Sequence, residues 1–338
     1  MSMRIQADFS LDFPRAYGTL EASADFRTVP EDFQVTENLG FEPAGEGEHV
    51  YLWIEKRGEN TAWVAEQLAV YAGVKPTDIG YAGRKDRHAI TRQWFSVYLP
   101  LKSNHPEPEW QGFSSDRIQV LRVARHVRKL RRGEHESNHF VIGLRQLQCA
   151  DKTAFHERLD CVLRSGVPNY FGEQRFGNAG RNLIEAESLL VGKKPYRDRQ
   201  KRGLILSAAR SYLFNQVLAD RVRKGDWQIS VAGEPCAYPS GPLWGRGRPL
   251  ALVELLARET ELLSSWRDWC NELEHVGTSQ ERRALLLAIK TPSYRWLVGD
   301  HLELAFTLEA GAFATSVLRE LVSLNNQQLR LSGTESSD

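Results

Sequence analysis

Cysteine is scarce in this chain of 338 residues: Cys149, Cys161, Cys236 and Cys270 lie far apart at irregular intervals. That spacing excludes a disulfide scaffold and a zinc ribbon, and without a Cys-x-x-Cys pair a thioredoxin-type site is excluded too. The four read as reduced, packed thiols. No window approaches 18 consecutive apolar residues, so no membrane-spanning helix is expected. The opening MSMRIQADFSLDF has no cationic segment followed by an apolar core, so no secretory signal is expected and a cytoplasmic location is. The chain also lacks Gly-x-Ser-x-Gly, a phosphate loop, His-Glu-x-x-His and a strand-linked Gly-x-Gly-x-x-Gly. Its nine histidines show no ligand spacing. None of these patterns therefore points to a cofactor or a metal. Charge of one sign is lacking as well: 44 Lys+Arg against 43 Asp+Glu leaves +1.

That small sum hides a segregation. Residues 1–60 carry twelve acidic and five basic side chains, a balance of −7. Residues 117–132 carry seven basic ones (Arg117, Arg122, Arg125, Arg128, Lys129, Arg131, Arg132) and no acid. Residues 193–202 carry six basic residues and one acid, Asp198. Polyanion binding follows local potential, because each phosphate neutralised releases a counterion. Two arginine-rich stretches with Tyr170, Phe171, Phe176 and Tyr196 in the middle of the chain favour a nucleic-acid partner, since arginine binds phosphate and stacks on bases. A merely solvated face is the alternative for either stretch alone.

Alternation predicts strands over 49–56, 94–99, 118–123, 138–144 and 302–308. Helical spacing predicts 61–71, with Asn60 as N-cap and Gly73 as stop, then 151–164, 207–222, 250–263 and 313–324. Interspersed strands and helices give an α+β class. The middle of the chain turns glycine-rich (166–180) and helical, and the sheet pattern returns near the C-terminus. One sheet domain built from both ends, with a second domain inserted, fits this order. The tail after Leu324 reads as polar and disordered.

The densest chemistry lies in residues 80–93, GYAGRKDRHAITRQ. Two glycines flank a Tyr-Ala pair, and Asp86 stands among Arg84, Lys85 and Arg87. Adjacent cations favour an ionised carboxylate, able to act as nucleophile or base. A turn cap or a surface ion pair is the plainer role for such an aspartate.

This segment resembles the signature of the tRNA pseudouridine synthase D (TruD) family, Gly-x-Lys-Asp-x-x-Ala-x-Thr-x-Gln, filled by Gly83, Lys85, Asp86, Ala89, Thr91 and Gln93. VPEDFQVTE (29–37), RHVRKLRRGEHESNHFVI (125–142), GVPNYFGEQRFG (166–177), ARSYLFNQVLADR (209–221) and GAFATSVLREL (311–321) resemble further family motifs, in the expected order. Arg27 stands where the family more often has lysine, and residues 249–282 depart from the pattern.

The resemblance implies a pseudouridine-synthase catalytic domain with a mixed, largely antiparallel sheet flanked by helices, formed by residues 1–165 and 288–338. It also implies a family-specific α/β domain inserted at 166–287. The tRNA would lie in the cleft between them, lined by both basic stretches. The family isomerises a uridine, number 13 in the D arm for its bacterial members, by breaking N1–C1′ and rejoining through C5. Its essential aspartate maps to Asp86, acting at C1′ or through a glycal, as carboxylates do in glycoside chemistry. The uridine leaves its stack to reach a buried carboxylate, at a few kcal/mol, which aromatic stacking of about 1–3 kcal/mol per base offsets. Phe33, Asn138, Phe140 and Phe313 carry over as substrate contacts, with core packing the alternative for the phenylalanines. Lys85 carries over as a neighbour that sets the charge of Asp86 or holds a phosphate. Arg128, Lys129, Arg131 and Arg132 are expected on the RNA backbone. The resemblance implies tRNA as partner; a monomer is expected because the sequence leaves no amphipathic seam unassigned. The rivals are a non-catalytic RNA-binding or chaperone protein of the same fold, and a glycosidase or base-excising enzyme.

Overall fold

The computed structural model describes residues 4–5, 8–19, 21–101 and 106–326. The elements run β1 (Ala22–Phe26), β2 (Phe33–Asn38), β3 (His49–Arg57), α1 (Thr61–Ala72), β4 (Ile79–Tyr81), β5 (Ile90–Tyr98), β6 (Ile118–His126) and β7 (Ser137–Cys149). They continue with α2 (Lys152–Ser165), β8 (Val167–Pro168), α3 (Arg181–Leu190), α4 (Arg199–Arg223), β9 (Ser240–Leu243), α5 (Val253–Leu262) and α6 (Arg267–Leu273). The last are β10 (Glu281–Ala284), β11 (Leu286–Leu287), β12 (Lys290–Leu297), β13 (His301–Glu309), α7 (Ala314–Leu318) and β14 (Ser323–Asn326).

Two compact units divide the chain. One comprises Glu21–His156, Ile289–Ala312 and Val322–Asp338. Its ten-stranded sheet has the order β12-β13-β7-β2-β5-β3-β6, with β1 beside β7 and β14, and β4 beside β5. Among the described residues of this sheet only β2/β5 and β1/β14 pair in parallel. The fold is therefore α+β with a mixed, largely antiparallel sheet. Along β3, Val50, Leu52 and Ile54 project to one face, where Val64 and Leu68 of α1 cover them together with Phe95 and Val97 of β5. Asn60 stands at the N-cap of α1 without a side-chain cap bond, and Gly73 ends the helix at φ 65°. The opposite face carries a smaller cluster, Leu39, Tyr51, Ala82, Trp94 and Leu130.

The other unit comprises Met1–Leu20, Glu157–Ala288 and Phe313–Leu321. Among its described residues the strands form only two antiparallel two-stranded ladders, β9/β10 and β8/β11, beside the helices. Two sequence expectations change here. The N-terminal segment, assigned by sequence to the sheet, packs Phe9 and Phe13 into this unit's aromatic core with Tyr170, Tyr212, Trp266 and Trp269. Large rings close to each other bury area that a mobile terminus would leave wet. The helix expected over 313–324 stops at Leu318, and residues from Ser323 pair in parallel with β1. Strand therefore replaces the expected disorder at residues 325 and 326, and the remainder of that tail lies outside the described residues.

Candidate active site

Residues 82–89 connect β4 to β5, and the segment 56–61, Lys-Arg-Gly-Glu-Asn-Thr, holds that loop from beneath. Lys85 N–H donates to Thr61 Oγ1 at 2.9 Å. Lys56 Nζ donates to the Asp86 carbonyl at 2.9 Å, and Arg87 Nε to the Gly58 carbonyl at 3.2 Å. Gly58 N–H donates to the Ala89 carbonyl at 3.3 Å. Thr61 also donates to Gln93 Oε1 at 2.9 Å, and Gln93 Nε2 donates to the Gly83 carbonyl at 3.1 Å. Satisfied buried polar groups of this kind specify one loop geometry. Gln93 thereby has a structural place in the motif, and Thr91 lies fully buried on β5 opposite Lys56.

The Asp86 carboxylate stands out from this frame with 49% of its side chain exposed. The sequence reading of a buried carboxylate is thus corrected: the loop buries the main chain and leaves the functional group at the surface. Its ion-pair partner is not one of the three neighbouring cations but Arg27, whose Nη2 lies 3.0 Å from Asp86 Oδ2. Arg27 has φ 59°, a left-handed conformation that costs a residue with a Cβ about 1–3 kcal/mol. Its guanidinium lies 4.3 Å from the ring centroid of Phe33 and 4.8 Å from that of Phe26. Arg27 Nε is buried with no hydrogen-bond partner among the described residues.

Lys85 is corrected too. Its ammonium is 2.6 Å from Glu37 Oε2, with side-chain exposures of 6% and 0%. A buried, paired ammonium does not offer itself to a phosphate. Trp94 N–H donates to the other carboxylate oxygen of Glu37 at 3.1 Å. Burial pushes Glu37 above the usual carboxylate range, against the opposing pull of Lys85.

Beyond Glu37 the sheet register sets out the remaining expected contacts on one face. Glu37 pairs with Asn138, Val35 with Phe140, and Phe140 with Phe306. Phe33, Phe140 and Phe306 form a ring row with centroids 6.1 and 5.8 Å apart, and all three are buried. Asn138 lies 3.2 Å through Nδ2 from His135 Nε2, while its Oδ1 is buried without a partner among the described residues. Burial, and then the Lys85 charge, pushes His135 down to about 4. Asp86, Arg27 and Phe33 are thus joined through Arg27, and Lys85, Glu37 and Asn138 lie alongside. Phe313 is in the other unit, at the N-cap of α7, half-buried against that unit's core.

The basic loop between β6 and β7 runs against the Asp86 loop. Gly133 N–H donates to the Ala82 carbonyl at 2.8 Å. A Cβ at Gly80 would stand 2.3 Å from the Leu130 carbonyl and 2.5 Å from Ser96 Oγ, so only glycine admits this approach. Gly80→Ala is expected to push the basic loop outward and to cost about 1–3 kcal/mol of stability, as overpacking does, measurable by urea unfolding.

Much of the basic stretch is paired. Arg117 meets Glu59 at 3.0 Å, Arg122 meets Glu42 at 2.9 Å, and Arg128 meets Glu134. Lys129 donates to the Thr77 carbonyl. Two of these acids come from the acidic N-terminal segment, so the segregation seen in sequence is partly undone in space. Arg131 and Arg132 make no ion pair among the described residues, and Arg132 lies 3.9 Å over the Tyr81 ring. In the other unit Lys193 pairs with Glu272 and Lys201 with Glu185, and Asp198 caps α4.

Sequence reasoning overlooked Lys56, Thr61 and Glu37, and it read His135 as an RNA contact or a plain surface residue, whereas the structure sets its ring against Asn138 with a buried Nδ1. Glu37 lies inside the motif at 29–37, and a lysine in an alternating strand was the available signal for Lys56. Among the described residues no helix is long and apolar enough to cross a membrane.

The family model for tRNA pseudouridine synthase D (TruD) matches residues 15–194. The tRNA pseudouridine synthase D of Methylococcus capsulatus is 45% identical over 344 residues, covering 94% of this chain and 96% of the relative. That of Nitrosococcus oceani is 44% identical, covering 89% and 91%. A solved structure from Methanosarcina mazei, named for tRNA pseudouridine synthase D, superposes with a TM-score of 0.70 at 18% identity, covering 95% of this chain and 98% of that one. It shares the fold.

Proposed function

The chain belongs to the tRNA pseudouridine synthase D family, and from that premise we propose that it converts uridine 13 in the D arm of tRNA to pseudouridine, with Asp86 as nucleophile. The observation that carries the assignment is the Asp86 carboxylate, half-exposed on a loop tied to 56–61 and met by Arg27. A fixed carboxylate with a cation beside it needs no reorganisation when a sugar arrives. The Asp86 carboxylate bonds to C1′ as the N1–C1′ bond breaks, the uracil turns, C5 bonds to C1′ as the carboxylate leaves, and C5 loses its proton while N1 gains one, so the product keeps the mass of the substrate. Phe33 with Arg27 laid on its ring, Asn138 and Phe140 contact the nucleoside. Lys85 serves Asp86 through the fold. The enzyme acts as a cytoplasmic monomer without a cofactor.

The test is direct. Purified protein and an unmodified tRNA transcript should give a carbodiimide-dependent reverse-transcription stop at position 13. Release of free uracil would mark a glycosidase, and binding without conversion a non-catalytic RNA-binding protein.

Arg128, Lys129, Arg131 and Arg132 are assigned to the tRNA backbone. Changing all four to Ala should weaken tRNA binding and flatten the log Kd against log salt plot by about 0.9 for each phosphate left without its cation. An unchanged slope removes the loop from the interface.

A further inference from the structure

Lysine is among the residues least often fully buried, yet Lys56 has 0% exposure. It closes the functional end of β3, opposite Thr91 of β5 and Ile118 of β6. Its ammonium donates to two main-chain carbonyls, Glu59 at 2.7 Å and Asp86 at 2.9 Å. The first belongs to the segment leading into α1. The second belongs to the residue whose side chain is proposed to do the chemistry. One buried cation therefore joins a rigid helix start to the peptide unit of the exposed carboxylate.

We infer that Lys56 is a positioning residue for the isomerisation, fixing the main chain of Asp86 so that the carboxylate stays at Arg27 and at the reaction centre. The inference rests on the proposed reaction and deepens it. Lys56 cannot touch substrate, because it is covered. Among the described residues its ammonium bonds no side chain, so its two bonds fix main chain rather than neutralise an acid. Keeping a lysine there works against solvation: burial pulls it down to about 8, with the Asp86 charge opposing and the Lys85 charge assisting the fall, while Glu59 also opposes. An apolar residue would suit the site better if shape alone mattered. Arg27 and Lys85 hold the side chains of this loop; Lys56 holds its backbone.

The test separates position from fold. Lys56→Met keeps the length and removes the donors. It should bind tRNA with an unchanged Kd and retain its circular dichroism, while its single-turnover rate of pseudouridine formation falls about 100-fold, the size of effect that a misplacement near 1 Å produces. Lys56→Gln, which still has a donor, should recover part of that rate, and it carries the test if Lys56→Met does not fold. A rate equal to the parent's in either variant overturns the inference. So does a parallel fall of rate and affinity in both, which marks a general structural role. If the parent itself forms no pseudouridine, the proposed reaction fails, and the inference with it.

Discussion

Asp86→Asn should fold, bind tRNA and leave its uridines unconverted, with a rate loss of about 10⁴-fold or more, as expected when a nucleophile is removed. The expectation of intact folding comes from how the loop is held. Lys85 N–H, the Asp86 carbonyl and the Ala89 carbonyl make the bonds to 56–61, and the substitution touches none of them. What it alters is the ion pair with Arg27, an exposed interaction on the Asp86 side. Exposed pairs contribute roughly 0–1 kcal/mol, so the melting temperature should hardly move. Electrophoretic mobility shift measures the binding, and reverse transcription after carbodiimide treatment measures the conversion. Retained conversion by pure Asp86→Asn would remove the nucleophile assignment.

A very different response is expected from the pair directly beneath. Lys85→Met leaves Glu37 fully buried with Trp94 N–H as its remaining donor. Breaking a buried pair by removing one partner costs about 3–5 kcal/mol, because an uncompensated charge stays inside. Urea unfolding should register that loss. The double substitution Lys85→Met with Glu37→Leu should regain most of it, since an apolar pair of similar volume is close to neutral or better. If the single and double variants lose equally, the ion pair is not what the loop rests on. The double variant also isolates function: its stability returns, so any remaining loss of turnover reports on the placement of Asp86.

The sheet was legible where one face is apolar and the other polar. The pattern of β13 predicted 302–308 and the strand is His301–Glu309. Helix α1 was legible through its spacing and its glycine stop. The helix expected over 313–324 was not, because Val317, Leu318, Leu321 and Val322 are all buried and helical spacing cannot foresee a long-range partner such as β1. The same reason limited the site. Asp86 stood out locally, among cations and glycines, yet its ion-pair partner lies 59 residues earlier. Lys85 looked available beside it and is consumed by Glu37, 48 residues away. Local sequence shows which groups are present. Which of them pair depends on strand order, and that order crosses the whole chain.

That crossing bears on how the protein is made. Strand β1 is finished only when β14 pairs with it, Ser23 against Ser323, and β7 receives its β13 neighbour only when that strand is synthesised. Strands β2, β3, β5 and β6 with α1 lie within the first 126 residues and can assemble while the ribosome is still translating. The Asp86 loop can therefore take shape early, while the Phe306 end of the ring row arrives among the last segments. Contacts of such sequence separation slow folding and leave sheet edges open for longer. From Cys149 to His301 the nascent chain grows with β7 lacking its β13 neighbour, and an enzyme of this topology depends on that edge being kept from other chains until its own C-terminal strands emerge.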